Sequence, residues 1–154
     1  MKRFDAIDLA ILNYLQIDGR LSNAELADKI NLSPSATLRR VKLLEDRGVI
    51  DGYAMLLNQK AIGKPTDIFV EISLNSQSEV SLNKFESAVK ECPDVMECYL
   101  MSGDSDYLLH IVVTDTEDYE RVHKEYLSCL PNVSRIRSSF AIRKISKKTA
   151  FSLN

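Results

Sequence analysis

The segment "MSGDSDYLLHIVV", residues 101–113, places two carboxylates and a glycine directly before an apolar run that is typical of a buried strand. Asp104 and Asp106 stand on alternate residues, and Gly103 precedes them. Four kinds of site fit this pattern: a catalytic carboxylate pair, a cation site, a solvated turn, or a pocket for a small polar ligand. The choice among them decides what the second half of the chain does.

Catalysis and metal binding are the weakest of these interpretations. A proton-transferring carboxylate pair needs a cleft and two different pKa values, and the loop itself holds no His or Lys to complete such a site. His110 and His123 have no metal-ligand spacing to each other or to the cysteines. A calcium loop of the EF-hand type needs a further oxygen ligand and a distant Glu in register. The sequence therefore predicts no enzyme activity, no metal and no cofactor.

Two interpretations of the loop remain open from its residues alone. In a tight hairpin turn, Gly103 would supply a positive φ and the aspartates would cap the turn. In a site for an amino acid, the backbone N–H groups around the glycine would face the ligand's carboxylate. Asp104 or Asp106 would then accept from its ammonium group.

A second group of residues has the chemistry of DNA binding. Residues 33–44 carry three positive charges and no negative one, and the segment begins with small side chains. Small residues let a helix approach base edges, threonine can contact a thymine methyl, and cations bind phosphates or guanine. The candidates are Ser33, Ser35, Ala36, Thr37, Arg39, Arg40 and Lys42. The alternative is a solvated face of a generic three-helix bundle.

Three predicted helices would position these cations. Residues 5–16 place apolar side chains at helical spacing, and a capping box, Ser22 with Glu25, begins a helix over 23–30. A third helix is expected over 34–47.

The third helix has its own start signals. Ser33 can cap it and Pro34 occupies its first position, while Leu38, Val41 and Leu44 are expected to point inward. The short connection to the preceding helix is typical of a helix-turn-helix, whose second helix enters the major groove of double-stranded DNA.

The second half alternates strands and helices. Residues 66–74 alternate apolar and polar side chains, which predicts a strand. The elements that follow are a helix over 78–92, strands over 95–101 and 107–114, a helix over 117–130 and a strand from 133 to about 145. This βαββαβ order is the ferredoxin-like pattern. Helices on one side leave the other sheet face uncovered, so a homodimer is expected.

Composition and charge support a two-part organisation. The chain has 154 residues and a net charge of −2. Residues 1–60 carry nine basic and eight acidic side chains, whereas residues 66–142 carry six and fourteen. Asp5 and Asp8 interrupt the first apolar stretch, which argues against a signal peptide, and three cysteines without a C-x-x-C spacing fit reduced thiols in the cytoplasm. The expected fold class is α+β in two domains.

Taken together, the motifs resemble the leucine-responsive regulatory protein/AsnC (Lrp/AsnC) family of transcription regulators. The resemblance rests on "LSNAELADKINLSPSATLRRVKLLEDRGVI", "MECYLMSGDSDYLL" and "SSFAIRKISKKTAF", and so covers nearly the whole chain. It implies a (winged) helix-turn-helix domain over 1–50, a linker strand that pairs with a second subunit over 51–65, and a ferredoxin-like effector and oligomerisation domain over 66–154. From the sequence alone, the linker could equally be a loop.

The resemblance also implies where an effector binds. Relatives that respond to leucine and other branched-chain amino acids bind it where dimers meet, and the dimers assemble further to octamers. The implied effector-binding residues are Leu100, Gly103, Asp104, Asp106, Tyr107, Thr116, Ser138, Ser139, Phe140 and Ala141. Members of this group commonly have threonine-proline-cysteine where this chain has Ser35, Ala36 and Thr37, so the operator sequence is not carried over.

The function expected from the sequence is therefore that of an amino-acid-responsive transcription regulator. Leucine, methionine or another apolar amino acid would be the effector and would modulate assembly and operator binding. Two alternatives stay open: a nucleoid-like DNA organiser that ignores amino acids, and an amino-acid-sensing module that does not bind DNA.

Overall fold

The computed structural model describes residues 4–153. The chain forms two compact units, one of residues up to Leu56 together with the C-terminal segment from Ile145, the other from Leu57 to Lys144. The sequence analysis assigned this C-terminal segment to the second domain, whereas the structure groups it with the helical unit.

The helical unit contains three helices: α1 (Ala6–Leu15), α2 (Asn23–Lys29) and α3 (Pro34–Asp46). Their apolar stripes meet in a small core that is centred on Ile11, Leu26 and Leu44. Each helix begins at a capping side chain, because the first N–H groups of a helix have no partner within it. Ser22 and Glu25 form the predicted capping box of α2.

One detail of this unit differs from the sequence predictions, and one prediction is not tested by a single chain. Leu38, expected to point inward, has 47% of its surface exposed, because the buried stripe of α3 runs through Thr37, Val41 and Leu44 instead. Residues 47–65 contain neither helix nor strand in this single chain, so the expected pairing of a linker strand with a second subunit stays a prediction.

The second unit is a four-stranded antiparallel sheet with helices on one face. Its elements are β1 (Thr66–Leu74), α4 (Glu79–Val89), β2 (Val95–Leu100), β3 (Tyr107–Val113), α5 (Thr116–Glu125), a short 3-10 helix (Leu127–Cys129) and β4 (Val133–Phe140). The strand order is β2-β3-β1-β4, as the ferredoxin-like pattern predicts.

The core of this unit lies between the sheet and its helices. Ile68, Val70 and Ile72 of β1 point to the helices and pack with Phe85 of α4 and Val122 of α5. Successive strand residues point to opposite faces, so the intervening residues of β1 lie on the uncovered face. That open face carries Phe69, which has 40% of its surface exposed.

Element ends differ modestly from the predicted bounds. The last strand ends at Phe140 and not near residue 145, and α5 ends at Glu125 before the 3-10 helix. Among the described residues, no helix is long and apolar enough to cross a membrane.

Candidate DNA-binding and effector sites

The start of α3 is fixed by side chains on both sides of the turn. The Ser33 hydroxyl accepts from the Ala36 N–H at 3.3 Å, and the Asn23 amide of α2 donates to the Pro34 carbonyl at 2.8 Å. Asn31 adopts a φ of 53°, which lets the chain reverse between the two helices. The geometry of the helix-turn-helix is thus held by hydrogen bonds as well as by the core.

The outward face of α3 presents three of the predicted DNA-binding residues. Ser35, Arg39 and Lys42 are exposed and lie on the side of the helix opposite the core. Within residues 4–153, no salt bridge involves Arg39 or Lys42. This face combines a small polar residue with two available cations, which can bind base edges and phosphates. Ser33 is also exposed, at the cap.

Other predicted DNA-binding residues have a different environment. Thr37 is fully buried, and its hydroxyl donates to the Ser33 carbonyl at 3.1 Å, so in this conformation it cannot contact a base. Ala36 is half-buried.

Arg40 donates through one nitrogen to Asp5 and Asp8, each at 2.8 Å, and is therefore not a free phosphate ligand. The sequence did not lead us to expect Asp5 and Asp8 as partners of Arg40. The signal for them was that Arg40 shares a helical stripe with Thr37, Val41 and Leu44.

In the candidate effector loop, Asp106 is held by its own chain. Its carboxylate accepts from the Leu74 N–H at 2.6 Å and from the Gln77 side-chain amide at 2.6 Å. Its backbone N–H donates to the Ile72 carbonyl and its carbonyl accepts from the Met101 N–H, at 2.8 Å each. Asp106 therefore fixes the loop against the end of β1.

Gly103 and Asp104, which precede Asp106 in the candidate loop, are more open. Gly103 has a φ of 154°, a conformation that residues with a side chain rarely adopt, although a Cβ there would meet nothing within 4 Å. Asp104 is exposed, and its carboxylate makes no hydrogen bond within the described residues. Asp104 is thus the more available acceptor of the pair.

Tyr107 does not line an open pocket in this chain. Its ring is 1% exposed and packs against Phe85 at a centroid distance of 4.4 Å, and its hydroxyl donates to Glu86 at 2.8 Å. Burial, reinforced by the Glu86 carboxylate, raises the pKa of Tyr107 well above its ordinary value. The sequence analysis assigned Tyr107 to the effector site, but the structure places it in the core.

The remaining predicted effector residues lie elsewhere on the sheet. Ser138 and Phe140 of β4 point to the helix side, where both contact Tyr119, whereas Ser139 is opposite Phe69 on the open face. The Ala141 N–H donates to the Asp67 carbonyl at 2.9 Å. Thr116 is exposed at the start of α5, and Leu100 at the end of β2.

One chain does not bring these residues together. The loop that contains Asp106 adjoins Ile72, whereas Phe140 pairs with Ile68. At about 3.3 Å per residue, these points are about 13 Å apart along β1, and Thr116 lies beyond the same end as Phe140. A small ligand cannot contact both groups of residues within one chain.

A helix-turn-helix unit with an exposed cationic face, together with an antiparallel α+β domain, is typical of the class of two-domain DNA-binding regulators. Residues 4–51 match the family described as winged helix-turn-helix DNA-binding, and residues 67–151 match the Lrp/AsnC ligand binding domain. The chain belongs to the Lrp/AsnC family of transcription regulators. The fold and the family predicted from the sequence are both confirmed.

Several relatives are similar over nearly their whole length. The Bkd operon transcriptional regulator of Pseudomonas aeruginosa is 40% identical over 97% of this chain and 98% of its own. The leucine-responsive regulatory protein of Escherichia coli K12 is 40% identical over 95% and 89%. A regulator from Neisseria meningitidis, solved as a complex with L-Met, has a TM-score of 0.92 at 34% identity over 99% and 98%. These proteins are regulators, which confirms the prediction that the chain is not an enzyme.

Proposed function

We infer that this protein regulates transcription in response to a small apolar amino acid, with leucine and methionine as the first candidates. Two relatives support this choice, one named leucine-responsive and one solved with L-Met. The exposed Asp104 carboxylate offers an acceptor for the ammonium group that any free amino acid carries. No cofactor is required for this function.

The separation of the predicted effector residues along the sheet is the observation that supports an effector pocket formed by two chains. The loop beside Ile72 and the residues beside Ile68 cannot both contact one amino acid within a chain. A second copy that placed its own β4 end against the loop would complete the pocket. Effector binding is then coupled to assembly, because the pocket exists only where chains meet.

The open face of the sheet is the proposed surface for forming the dimer. It combines exposed Phe69 with a charged pair, Glu71 and Arg137, on neighbouring strands. A two-fold axis would place the same patch of each copy against the other. Such dimers would assemble to an octamer, with effector pockets between dimers.

DNA binding follows from two copies of α3 in one dimer. Each helix would present Ser33, Ser35, Arg39 and Lys42 to the major groove, with half-sites about one helical turn of DNA apart. The protein would act in the cytoplasm, where bacterial DNA lies. An effector would alter how many sites one assembly engages, and a coupling of about 1–3 kcal/mol is enough for this.

A thermal-shift panel of the twenty amino acids, combined with particle mass by light scattering, tests the function. Leucine or methionine is expected to raise the unfolding temperature, since a ligand of the folded state stabilises it, and to change the mass of the assembly. A panel without any stabilising amino acid would contradict the effector proposal. Stabilisation at constant mass would contradict a pocket between dimers.

A further inference from the structure

Of the three predicted DNA-binding cations, all within residues 4–153, Arg40 is the one that the structure ties to another helix. Its Nη1 lies 2.8 Å from Asp5 Oδ2 and 2.8 Å from Asp8 Oδ1. Asp5 is also the N-cap of α1, and its other oxygen accepts from the Asp8 N–H at 2.8 Å. One guanidinium therefore joins the middle of α3 to the first turn of α1.

The burial of Asp8 distinguishes its bond with Arg40 from an ordinary surface salt bridge, whereas Asp5 keeps 52% of its side chain exposed. Asp8 has only 12% of its side chain exposed, and Arg40 has 30%. Hydrogen bonds from the Asp8 N–H and from Arg40 lower the pKa of Asp5, and those with both aspartates raise the pKa of Arg40. A charge removed from water needs its partner, so the two helices are held in one relative orientation.

The neighbouring cation provides the contrast. Arg39 is one residue earlier, which turns it about 100° around the helix, and it is exposed without an ion pair within residues 4–153. The two adjacent arginines therefore differ in what their side chains can contact.

We propose that Arg40 is a positioning residue for DNA recognition. It sets the orientation of α3 through Asp5 and Asp8, and it does not neutralise a phosphate. This inference rests on the proposed DNA binding and deepens it. The base-edge contacts of Ser35 depend on the helix orientation, whereas sequence-independent attraction to phosphates depends mainly on net charge.

The aspartates allow a test that separates positioning from charge. Asp8→Asn removes a negative charge near a polyanion, so simple electrostatics predicts tighter DNA binding. If Asp8 positions the recognition helix, binding to a specific site becomes weaker instead. Asp5→Asn is the milder variant, because asparagine is also a good N-cap.

The experiment compares full-length variants of two kinds. One kind alters the ion pairs of Arg40, namely Arg40→Gln, Arg40→Lys, Asp8→Asn and Asp5→Asn. The other is Arg39→Gln, which removes the neighbouring exposed cation. The probes are a duplex enriched from random sequences with the unaltered protein and a random duplex of equal length. Affinities are measured by fluorescence anisotropy at several salt concentrations and corrected for the active fraction by titration. A purely structural role would lower only the active fraction.

The expected result is weaker binding to the enriched duplex, with an unchanged dependence of the affinity on salt concentration. Arg40→Gln lowers affinity for the enriched duplex about tenfold, the order of one base contact, and leaves the slope of log affinity against log salt unchanged. Asp8→Asn weakens specific binding about threefold or more, the order of a weakened base contact, and Arg40→Lys recovers part of the loss. Binding to the random duplex stays within twofold for these variants.

Two results would overturn the proposal. One is a salt slope that falls by about 0.9 in Arg40→Gln, as it does for each lost phosphate contact. The other is specific binding by Asp8→Asn that is unchanged or tighter. If Arg40→Gln does not fold, the two aspartate variants decide by the same criterion. If the unaltered protein binds neither duplex, the proposed function fails and not this inference alone.

Discussion

At the scale of single residues, direction around a helix decides what a charge can do. Arg39 and Lys42 face away from the core of the helical unit, whereas Arg40 faces α1. The net charge of the chain is −2, yet this outward face is cationic. The local field at the interface, and not the overall charge, attracts a phosphate backbone.

Replacing Arg39 with glutamine is expected to weaken binding to all DNA sequences to a similar extent. If Arg39 contacts one phosphate, the slope of log affinity against log salt falls by about 0.9. Fluorescence anisotropy at three or more salt concentrations measures both quantities. Lys84→Gln, an exposed charge change on α4 of the other unit, is the matched control and should alter neither. An unchanged slope in Arg39→Gln would remove Arg39 from the interface.

The two aspartates of the candidate effector loop also have different surroundings. Asp106 is engaged by the Leu74 N–H and by Gln77, whereas Asp104 makes no such contact within the described residues. Asp104→Asn is expected to weaken amino-acid binding by about tenfold or more, since a hydrogen bond to a charged group contributes about 1.5–3 kcal/mol. Isothermal titration calorimetry with leucine and methionine measures the change.

The unfolding temperature, measured beside the titration, distinguishes the two aspartates. Asp106→Asn should also weaken binding, because the loop loses a charge-assisted bond to β1, and it should lower the unfolding temperature as well. DNA affinity without effector should stay unchanged in both variants. Glu91→Gln, an exposed charge change just after α4, should leave the binding heats unaltered. Undiminished heats in Asp104→Asn would exclude Asp104 as the ammonium acceptor.

At the scale of elements, the helix-turn-helix depends on its caps. The Ser22 hydroxyl accepts from the Glu25 N–H at 3.2 Å, and the Glu25 carboxylate accepts from the Ser22 N–H at 2.8 Å. The helix α2 has only seven residues, so it is too short to be stable without these caps and its packing. The capping box therefore supports the helix on which α3 is placed.

Ser22→Ala is expected to lower the free energy of unfolding of the helical unit by about 1 kcal/mol, because the Glu25 N–H loses the hydroxyl that accepts from it. Urea unfolding followed by circular dichroism measures it. Ser87→Ala, in the interior of α4, is the control and should be nearly neutral, since alanine favours a helix. A loss in Ser22→Ala no larger than in the control would contradict the stabilising role of the box.

A buried carboxylate connects three segments of the second unit. Asp94, with 4% of its surface exposed, lies 2.6 Å from Lys64 Nζ and 3.0 Å from the Arg121 guanidinium of α5. Burial alone would raise the pKa of Asp94, but the hydrogen bonds with Lys64 and Arg121 outweigh it and hold the pKa below the ordinary value. The charged form is therefore favoured in the folded state.

This shift fixes the sign of a pH effect. A carboxyl whose pKa is lower in the folded state stabilises above its unfolded pKa of about 3.9 and loses that contribution as the pH falls through the folded pKa. Asp94→Asn should lower stability at pH 7 by roughly 2 kcal/mol, less than for fully buried pairs, because both cationic partners are about 40% exposed. The difference in stability should persist down to about pH 4, shrink at lower pH and vanish only below the folded pKa of Asp94. Urea unfolding at pH 7, 5, 4 and 3 measures this, and a difference independent of pH would contradict the assignment.

At the scale of the whole molecule, charge is divided between two kinds of surface. Residues 66–142 hold fourteen acidic side chains against six basic ones, and residues 1–60 are nearly balanced. The acidic balance of the second unit disfavours contact between it and DNA. The division fits a molecule in which one unit binds DNA and the other senses and assembles.

Much of the fold was predictable because local patterns and tertiary packing agree. Apolar spacing predicted the three helices, and the alternation in 66–74 predicted β1. The ends of elements were less predictable: β4 ends at Phe140, where pairing with β1 stops, and this depends on the partner strand and not on the residues of β4. Leu38 was misplaced because the pattern of α3 allows two neighbouring apolar stripes, and packing against α1 and α2 selects one.

By itself, the sequence determined the family, the two-part organisation and the candidate residues, because periodicity, caps and motifs are local properties of the chain. Only the tertiary structure decided how adjacent residues divide their roles. It buried Thr37 and Tyr107, tied Arg40 to α1, left Arg39 and Asp104 exposed, and set the effector candidates at opposite ends of one strand. The physical reason is that a side chain's surroundings come from segments far away in sequence, which no local pattern specifies.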